Sequence, residues 1–497
     1  MSVLDALLSG FGIALQPVNL LFCFLGVLSG TLVGVLPGLG PTASISLLIP
    51  ATLSAPPTSA MIMLAGIYYG AMYGGSTTSI LVNIPGEAAS VVTCLDGYQM
   101  ARKGRAGPAL GMSAFGSFIG GTIALVGVAF LASPLTGLAL KFGAPEYFSM
   151  MTLGIMLVIF IGRGPVSKSL VCTSFGLFLG TIGIDAISGY QRFTFNTLEF
   201  ADGIGVVPVV IGLFGISEVF INLEEEAHST ILEHKTSIKD LFPTAADWAS
   251  SKWPIVRGSI VGFFLGILPG GGPILASFAS YAIEKKVSKH PEGFGKGVIE
   301  GVAGPETANN AATGGAFVPL LTLGIPINAV MALLLGALII HGIQPGPMLI
   351  SSHPDLFWGV IASMYVGNLM LLGLNLPLIG VWVQILKIPY PILFPLILLF
   401  CVVGGYTLNN SFIELGVTIL FGLIGYIMRK FEYEPAPLVL SLILSPMIEN
   451  NLRQSLLMSD GSASIFFVRP LSLAFLVVTM GLIMLSFKKR KIVIDES

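Results

Sequence analysis

Apolar runs of close to 20 residues recur along the whole chain, and they constrain its fold more than any other feature. A run of about 20 apolar residues is what a helix needs to cross the hydrocarbon core of a bilayer. Charged residues make up only 10% of the 497 residues, against about 25% in a typical soluble domain. In lipid, backbone polar groups must be paired within the segment, which favours helices. The sequence therefore predicts an all-α polytopic integral membrane protein with roughly 12 or more membrane segments.

Two of these apolar stretches are interrupted in the same way. Residues 34–41 read GVLPGLGP, and residues 266–273 read GILPGGGP. A second pair follows, because GAMYGGSTTSILVNIPG at 70–86 resembles AATGGAFVPLLTLGIPI at 311–327. Each of these has a Gly-Gly patch that is followed by Ile-Pro. The same order of motifs in both halves of the chain indicates an internal repeat.

A polar segment, 222–252, lies between the two sets of motifs. We interpret it as a cytoplasmic linker between a first repeat, 1–221, and a second repeat, 253–497. The expected parts of the repeats are a broken hairpin at 14–55 with a second motif at 70–86, and a broken hairpin at 253–284 with a second motif at 304–327.

The charges of the loops predict that the two repeats have opposite orientations. The loop after the first LPGxGP motif, 50–59, has no Lys or Arg, whereas the loop after the second motif, 102–105, has three. In the second half the order is reversed, since 285–296 is rich in Lys and 341–355 has neither Lys nor Arg. Basic loops stay on the cytoplasmic side. Equivalent loops therefore face opposite sides, and the basic C-terminus, 488–491, is expected to be cytoplasmic.

Each LPGxGP motif is expected to be the tip of a helical hairpin that turns inside the membrane. Two full helices joined by a kink and a short loop are the alternative. Irregular backbone at membrane depth is tolerated only where it is buried in protein or lines a cavity. Paired broken segments in two inverted halves are typical of the midplane binding site of a transporter.

The tips have the chemistry of an anion site. Glycine allows the backbone to approach a ligand closely, and a proline at the first helical position leaves the next N–H groups free at a positive helix end. Hydroxyl and amide side chains of the second motifs are expected to complete the site. The predicted substrate-binding residues are Gly38, Gly40, Pro41, Thr42, Ser76, Thr77, Thr78, Asn83, Gly270, Gly271, Gly272, Asn309, Asn310 and Thr313.

A coupling cation requires acceptor groups, and Glu306 lies in the most polar stretch of the apolar second half. Polar residues at membrane depth are costly and point to function. The predicted ion-binding residues are Glu306, Gly38, Gly270 and Asn310, with Glu306 as the candidate ligand of Na⁺. No cofactor is expected beyond Na⁺ or H⁺ as the coupling ion.

Other classes of protein fit the sequence less well. No Walker A motif is present, because Gly293-Phe294-Gly295-Lys296-Gly297 lacks the hydroxyl residue after the lysine. Asp185 and Asp202 are the only hint of an intramembrane aspartyl protease, so no enzyme activity is expected. A channel is harder to separate from a carrier, since glycine-rich tips also build selectivity filters.

The long motifs resemble a known family. GVLPGLGPTASISLLIP, the segment from YYGAMYGG to RAGPALG, GILPGGGPILASFASYAIEKK and GPETANNAATGGAFVPLLTLGIP are similar to the large membrane subunit of the tripartite tricarboxylate transporters. The resemblance extends over essentially the whole chain.

This resemblance implies a bacterial inner-membrane symporter of di- and tricarboxylates such as citrate, driven by a cation gradient and typically by Na⁺. It also implies a small membrane subunit of about four helices and a periplasmic solute-binding protein as partners, besides the lipid bilayer; no nucleic-acid partner is expected. The inverted hairpins themselves predict alternating access, in which the hairpins and the second-motif helices move as a block against a scaffold. An elevator-like movement is the preferred form, and rocking is the alternative. The alternative functions are proton-coupled carboxylate uptake and an anion channel.

Overall fold

The computed structural model describes residues 2–495, apart from 37–39, 162–164, 186, 196, 198, 225–237, 269, 271, 387, 389 and 408–409. The protein is 79% helical. Five helical stretches among the described residues are long and apolar enough to cross a membrane, namely Pro17–Val35, Ala106–Ala139, Val206–Glu224, Pro354–Asn375 and Phe412–Lys430. The chain is therefore a polytopic all-α membrane protein, as predicted. The inverted orientation of its halves and the total number of membrane segments stay predictions.

The helices of the first half are α1 (Val3–Ala14), α2 (Pro17–Val35), α3 (Pro41–Thr52), α4 (Pro57–Val82), α5 (Val91–Arg102), α6 (Ala106–Ala139), α7 (Ala144–Ile161), α8 (Val166–Leu179), α9 (Val206–Val210) and α10 (Ser217–Glu224). A π-helical turn, Ile211–Ile216, joins α9 to α10. The strands β1 (Gly183–Ile184) and β2 (Gln191–Arg192) pair in the connection between α8 and α9. A 3₁₀ turn, Ala88–Ser90, precedes α5.

The helices of the second half are α11 (Ala245–Ile267), α12 (Gly272–Val287), α13 (Glu300–Gly315), α14 (Phe317–Leu323), α15 (Ala329–Ile340), α16 (Leu349–Ser352), α17 (Pro354–Asn375), α18 (Ile379–Ile385), α19 (Tyr390–Thr407), α20 (Phe412–Lys430), α21 (Ala436–Met458), α22 (Ile465–Val468) and α23 (Pro470–Asp495). Two 3₁₀ turns, Ile238–Leu241 and Pro291–Gly293, lie before α11 and before α13.

Both LPGxGP motifs interrupt helices, as the sequence predicts. In the first half α2 ends at Val35 and α3 begins with Pro41 at its first position. In the second half α11 ends at Ile267, and Pro273 lies in the first turn of α12. Proline suits the first turn because its missing N–H has no intrahelical partner there.

The first arm of the second hairpin is longer than the predicted boundary at 253. Helix α11 has 23 residues because it begins near Thr244, whose hydroxyl accepts the Asp247 N–H at 3.2 Å. The Asp247 carboxylate accepts the Thr244 N–H in return at 3.0 Å. This capping box satisfies two donors at the helix start and places α11 inside the segment that we interpreted as a linker. At the other end of that segment, α10 continues to Glu224, beyond the predicted linker start at 222.

Two matching glycine rows fasten each broken hairpin to the helix that carries the second motif. In α2 the row is Gly26, Gly30 and Gly34, and a Cβ at each position would collide with the backbone of α4. In α11 the row is Gly258, Gly262 and Gly266, and a Cβ there would collide with the backbone of α13. Small residues four apart let two helices approach to backbone contact. The two halves thus use the same packing at the same spacing.

Helices α4 and α13 lie at the centre of the fold. Helix α4 is buried along almost its whole length and packs on α2, α5 and α17. Helix α13 is buried from Gly301 to Gly315 and packs on α6, α11 and α12. A second group of helices, α7–α10 and α19–α23, packs mainly within itself. We call α1–α6 and α11–α18 the core helices and the second group the outer helices; α3 contacts both groups.

Candidate functional site

The two broken tips line one cavity of about 490 Å³, which is within the size range of small-molecule sites. Tip one contributes Gly40, Pro41 and Thr42, and tip two contributes Gly270 and Gly272. Gly38 and Gly271 lie outside the described residues. The arrangement brings the starts of α3 and α12 to the same space, although their motifs are 232 residues apart in the chain.

The backbone at tip two is fixed by the end of the second motif of its own half and by the residue that follows it. The Gly270 N–H donates to the Ile327 carbonyl oxygen at 2.9 Å. Gly270 has φ +87°, and Gly272 has φ +41°. Glycine adopts these left-handed angles at little cost. A Cβ on Gly272 would lie 3.2 Å from Asn328 Nδ2, so this tip is packed closely against the loop.

The opposite wall of the cavity comes from the outer helices. It includes Val158 of α7, Phe214 of the π-helical turn and Leu440 of α21. π-helical turns are rare and are often found at functional sites. The cavity therefore lies between the core helices, which carry both tips, and the outer helices.

Four charged residues line the cavity among the residues that the structure describes: Glu87, Glu218, Arg429 and Glu434. Arg429 forms an ion pair with the buried Glu218. Sequence reasoning missed this arginine because it treated the basic residues as belonging to loops, whereas Arg429 lies in the last turn of the apolar helix α20. The guanidinium has a planar fork of donors that fits carboxylates.

Glu87 and Asn328 were also missed, although the alignment of the second motifs contains both. Glu87 follows Ile84-Pro85-Gly86, and Asn328 follows Ile325-Pro326-Ile327, so they occupy equivalent positions. Each side chain caps the helical turn that follows, since Glu87 accepts the Ala89 N–H at 2.5 Å and Asn328 accepts the Met331 N–H at 2.9 Å. Both residues line the cavity. A polar residue that can cap a helix shortly after each Ile-Pro pair is the sequence signal that would have indicated these two positions.

Glu306 is buried, is not among the residues that line the cavity, and is enclosed by hydroxyl groups. Its carboxylate accepts hydrogen bonds from Ser76 at 2.5 Å, from Ser113 at 3.2 Å and from Thr93. The donors come from α4, α6 and α5, and Glu306 belongs to α13. Carboxylate and hydroxyl oxygens are hard ligands of the kind that small hard cations prefer. Within the described residues, no group of three or more His, Cys, Asp or Glu side chains forms a metal site.

The other predicted residues of the first half do not line the cavity. Thr77 borders a small separate pocket with Tyr73 and Ser113. The Thr78 hydroxyl donates to the Val35 carbonyl oxygen at 2.6 Å and so fastens α4 to the end of α2. Asn83 is exposed and ends α4 with φ +61°.

The predicted polar residues of the second half do not line the cavity, and Asn310 and Thr313 border a small separate pocket. Asn309 Nδ2 donates to Glu87 Oε1 at 3.3 Å. Asn310 Nδ2 donates to the Ser117 hydroxyl at 2.7 Å, which joins α13 to α6. The Thr313 hydroxyl donates to the Asn309 carbonyl oxygen at 3.0 Å. Asn309 contacts Glu87, a residue that lines the cavity, through its side-chain hydrogen bond.

Comparison with known proteins places the chain in a family. The profile of the tripartite tricarboxylate transporter TctA family matches residues 20–440. An uncharacterized 52.8 kDa protein in the TAR-I ttuC′ 3′ region of Agrobacterium vitis is 49% identical over the full length of both chains. An uncharacterized protein in the TAR-II ttuC′ 3′ region of the same organism is 54% identical over 43% of this chain and 89% of its own length. No solved structure gives a significant match.

The family match covers most of the chain, including both broken tips and both second motifs, and it confirms the resemblance stated from the sequence. It is a family of transporters that work in tripartite systems with a small membrane subunit and a periplasmic binding protein. This multi-pass membrane protein belongs to the TctA family of tripartite tricarboxylate transporters.

Proposed function

We propose that the protein is the large permease subunit of a secondary active transporter that takes up di- or tricarboxylates together with a cation, most simply Na⁺. One observation carries this proposal: two tips from distant parts of the chain line a single cavity that also contains a guanidinium group. The partners proposed are the small membrane subunit and the periplasmic binding protein of the same system. The proposed location is the bacterial inner membrane, with a cytoplasmic C-terminus.

The cavity offers two kinds of group to a carboxylate. The N–H groups in the first turns of α3 and α12 have no intrahelical acceptor, and Thr42 and Ile274 in these turns line the cavity. Helix starts carry a partial positive charge that favours anions. Arg429 supplies a guanidinium group from the outer helices, and this group is also ion-paired with Glu218. A substrate with two or three carboxylates has the right chemistry to bridge the tips and this arginine.

The coupling cation is proposed to bind at Glu306. Its carboxylate and the three surrounding hydroxyl groups come from four helices of both halves. A cation at this point would hold the second-motif helices together, and binding would respond to their relative position. Because cation affinity would depend on how these helices are placed, cation binding would shift the equilibrium between conformations of the cavity.

An elevator-like movement is the proposed form of alternating access. The cavity has one wall from the core helices, including both tips, and the other wall from the outer helices. Sliding of one group past the other would carry a bound substrate with the tips. In this arrangement Arg429 stays behind with the outer helices, so its contact with substrate would exist on one side of the movement only.

The experiment that tests this function uses vesicles with the three proposed subunits. Uptake of labelled citrate, malate and succinate is measured with and without an inward Na⁺ gradient, and with and without a proton gradient. We expect saturable uptake, stimulation by Na⁺, and exchange of internal for external substrate. Flux that neither saturates nor exchanges would contradict the proposal and would indicate a channel.

A further inference from the structure

Glu87 is a buried carboxylate in the wall of the cavity, and 6% of its surface is exposed. Its carboxylate accepts the Ala89 N–H at 2.5 Å and faces Asn309 Nδ2 at 3.3 Å. An ionised carboxylate has about four acceptor positions. Among the described residues, no Lys, Arg or His side chain forms an ion pair with Glu87, since Arg429 is paired with Glu218. A buried charge without a partner is unfavourable, so this position favours a bound cation.

Asn309 supplies an independent observation at the same place. Its side chain is fully buried, and its Oδ1 atom has no hydrogen-bond partner among the residues that the structure describes. This oxygen belongs to the amide whose nitrogen faces Glu87. Buried polar atoms without partners are rare and require an explanation. An acceptor without a donor, beside a carboxylate without a cation, has the chemistry of a cation site.

We infer that Glu87 and Asn309 form a second cation site, in the cavity itself, and that its cation is transported together with the carboxylate. The cation is Na⁺, held by oxygen atoms of both side chains, or H⁺, held on the Glu87 carboxyl group. In both cases it neutralises Glu87. This inference rests on the proposed function and deepens it, because it adds a cation to the one proposed at Glu306.

The site is expected to exist only once, despite the repeat. The equivalent position in the second half is Asn328, which has no charge to neutralise. The Asn328 oxygen is already occupied by the Met331 N–H, and its nitrogen donates towards the Tyr68 hydroxyl at 3.3 Å. The two caps therefore differ in charge, and only the Glu87 carboxylate attracts a cation.

Charge explains why substrate and cation would bind together. A polyanionic substrate in the cavity is repelled by an ionised Glu87, and neutralisation of Glu87 removes this repulsion. Such coupling is reciprocal, so each ligand increases the affinity of the protein for the other by the same factor. The titratable groups within electrostatic range of Glu87 are Glu306 on α13, Tyr68 on α4 and Cys94 on α5. Glu218, Arg429 and Glu434 face the same cavity.

The variant that tests the inference is Glu87→Gln, which resembles the neutralised state and releases no cation. We expect the ratio of gradient-driven accumulation to exchange of labelled citrate to fall at least tenfold relative to wild type, because accumulation requires the cation to be bound and released whereas exchange does not. Repeating the measurement with a Na⁺ gradient alone and with a proton gradient alone identifies the cation, because only the gradient of the ion bound at Glu87 drives less accumulation in the variant than in wild type. Glu292→Gln, in an exposed turn, is the matched control and should leave both activities unchanged.

Direct ion binding separates this inference from the proposed function. Binding of ²²Na⁺ and the release of protons after a pH jump are measured on the purified protein without substrate. Glu87→Gln should lose one cation, Asn309→Leu should weaken that binding at least tenfold, and Glu87→Asp should recover part of it. If wild type transports no carboxylate but Glu87→Gln loses a cation, the proposed function fails and the cation site stands. Equal cation binding and equal gradient-driven uptake in wild type and Glu87→Gln would overturn the inference.

Discussion

The Ser76 hydroxyl donates a hydrogen bond of 2.5 Å to the Glu306 carboxylate, and this contact joins the second motif of one half to that of the other. Both side chains are buried. The residues are 230 positions apart in the sequence. The contact places the proposed ion ligand where the two halves of the chain meet. A substitution of Glu306 should therefore affect the second motifs of both halves.

We expect Glu306→Gln to raise the half-saturating Na⁺ concentration for uptake by about tenfold or more. The amide replaces one acceptor oxygen by an NH₂ donor, so at least one of the three hydroxyl groups can no longer donate to this side chain. A hydrogen bond to a charged group contributes about 1.5–3 kcal/mol. Ser76→Ala removes one donor only and should shift the Na⁺ dependence less, in the same direction. Identical Na⁺ dependence in Glu306→Gln and wild type would remove Glu306 from the ion site.

Gly270→Val should abolish uptake while the protein still inserts into the membrane. Gly270 has φ +87°, and a Cβ there would lie 3.1 Å from the Leu157 carbonyl oxygen. A residue held in such a backbone conformation costs about 1–3 kcal/mol, and the side chain would also press on the backbone of α7. Gly38→Val is the matching prediction for tip one from the sequence. Gly416→Ala, where a Cβ meets open space in α20, is the control. Normal uptake by Gly270→Val would argue against a binding site at the tips.

Arg429→Lys should raise the KM for a tricarboxylate by about tenfold or more, because Lys keeps the charge but loses the bidentate fork. Hydrogen bonds between charged groups contribute about 1.5–3 kcal/mol. Arg429→Gln alone leaves Glu218 buried without its partner, so the double variant Arg429→Gln/Glu218→Gln separates loss of substrate affinity from loss of stability. Lys430→Gln, which removes an exposed pair with Glu224, is the control. An unchanged KM in Arg429→Lys would show that the substrate does not reach this wall.

A cross-link between the core helices and the outer helices should stop transport. Ile325 of the loop after α14 packs in one apolar cluster with Leu444 of α21. Ile325→Cys/Leu444→Cys, joined by a bifunctional thiol reagent, should reduce uptake at least tenfold, and cleavage of the link should restore it. Ser363→Cys joined to the native Cys23 is the control within the core helices, since Cys23 Sγ lies 3.6 Å from the Ser363 carbonyl oxygen. Intact transport in the cross-linked Ile325–Leu444 variant would contradict an elevator-like movement.

Acid should loosen the connection between α8 and α9 through Asp185. Arg453 is the main reason that the pKa of Asp185 lies well below its usual range, and the N–H groups of Ile187 and Ser188 lower it further. A carboxyl group with a lowered pKa in the folded state stabilises the protein above its unfolded pKa of about 3.9. That contribution is lost as the pH falls below this value.

The measurement is the Tm of wild type and of Asp185→Asn between pH 7 and pH 3. We expect wild type to lose more thermal stability than the variant as the pH falls through about 4, because the variant has no charge to lose at this position. Glu292→Gln serves here too as a control for the removal of one carboxylate. Parallel curves for wild type and Asp185→Asn would show that the Asp185 ion pairs contribute nothing to stability.

Local patterns predicted the helical class, the two breaks and the order of motifs in each half. They predicted less well where α11 begins, because its start depends on a Thr244–Asp247 capping box outside the apolar stretch. The spacing of the glycine rows that begin at Gly26 and Gly258 can be read from the sequence, but the helices that they contact, α4 and α13, cannot.

What the sequence determined by itself follows from rules that act over a few residues. Apolar length requires a membrane helix, Pro and Gly break it, and the long motifs define the family. The sequence predicted that both tips contribute to one site, whereas the tertiary structure alone decided that Glu87 and Arg429 line the shared cavity and that Ser76 reaches Glu306. The physical reason is the burial of α4 on all its faces. A helix with no polar face has no periodic pattern that reveals its orientation, so only the packing of the other helices around it determines which side chains face the cavity.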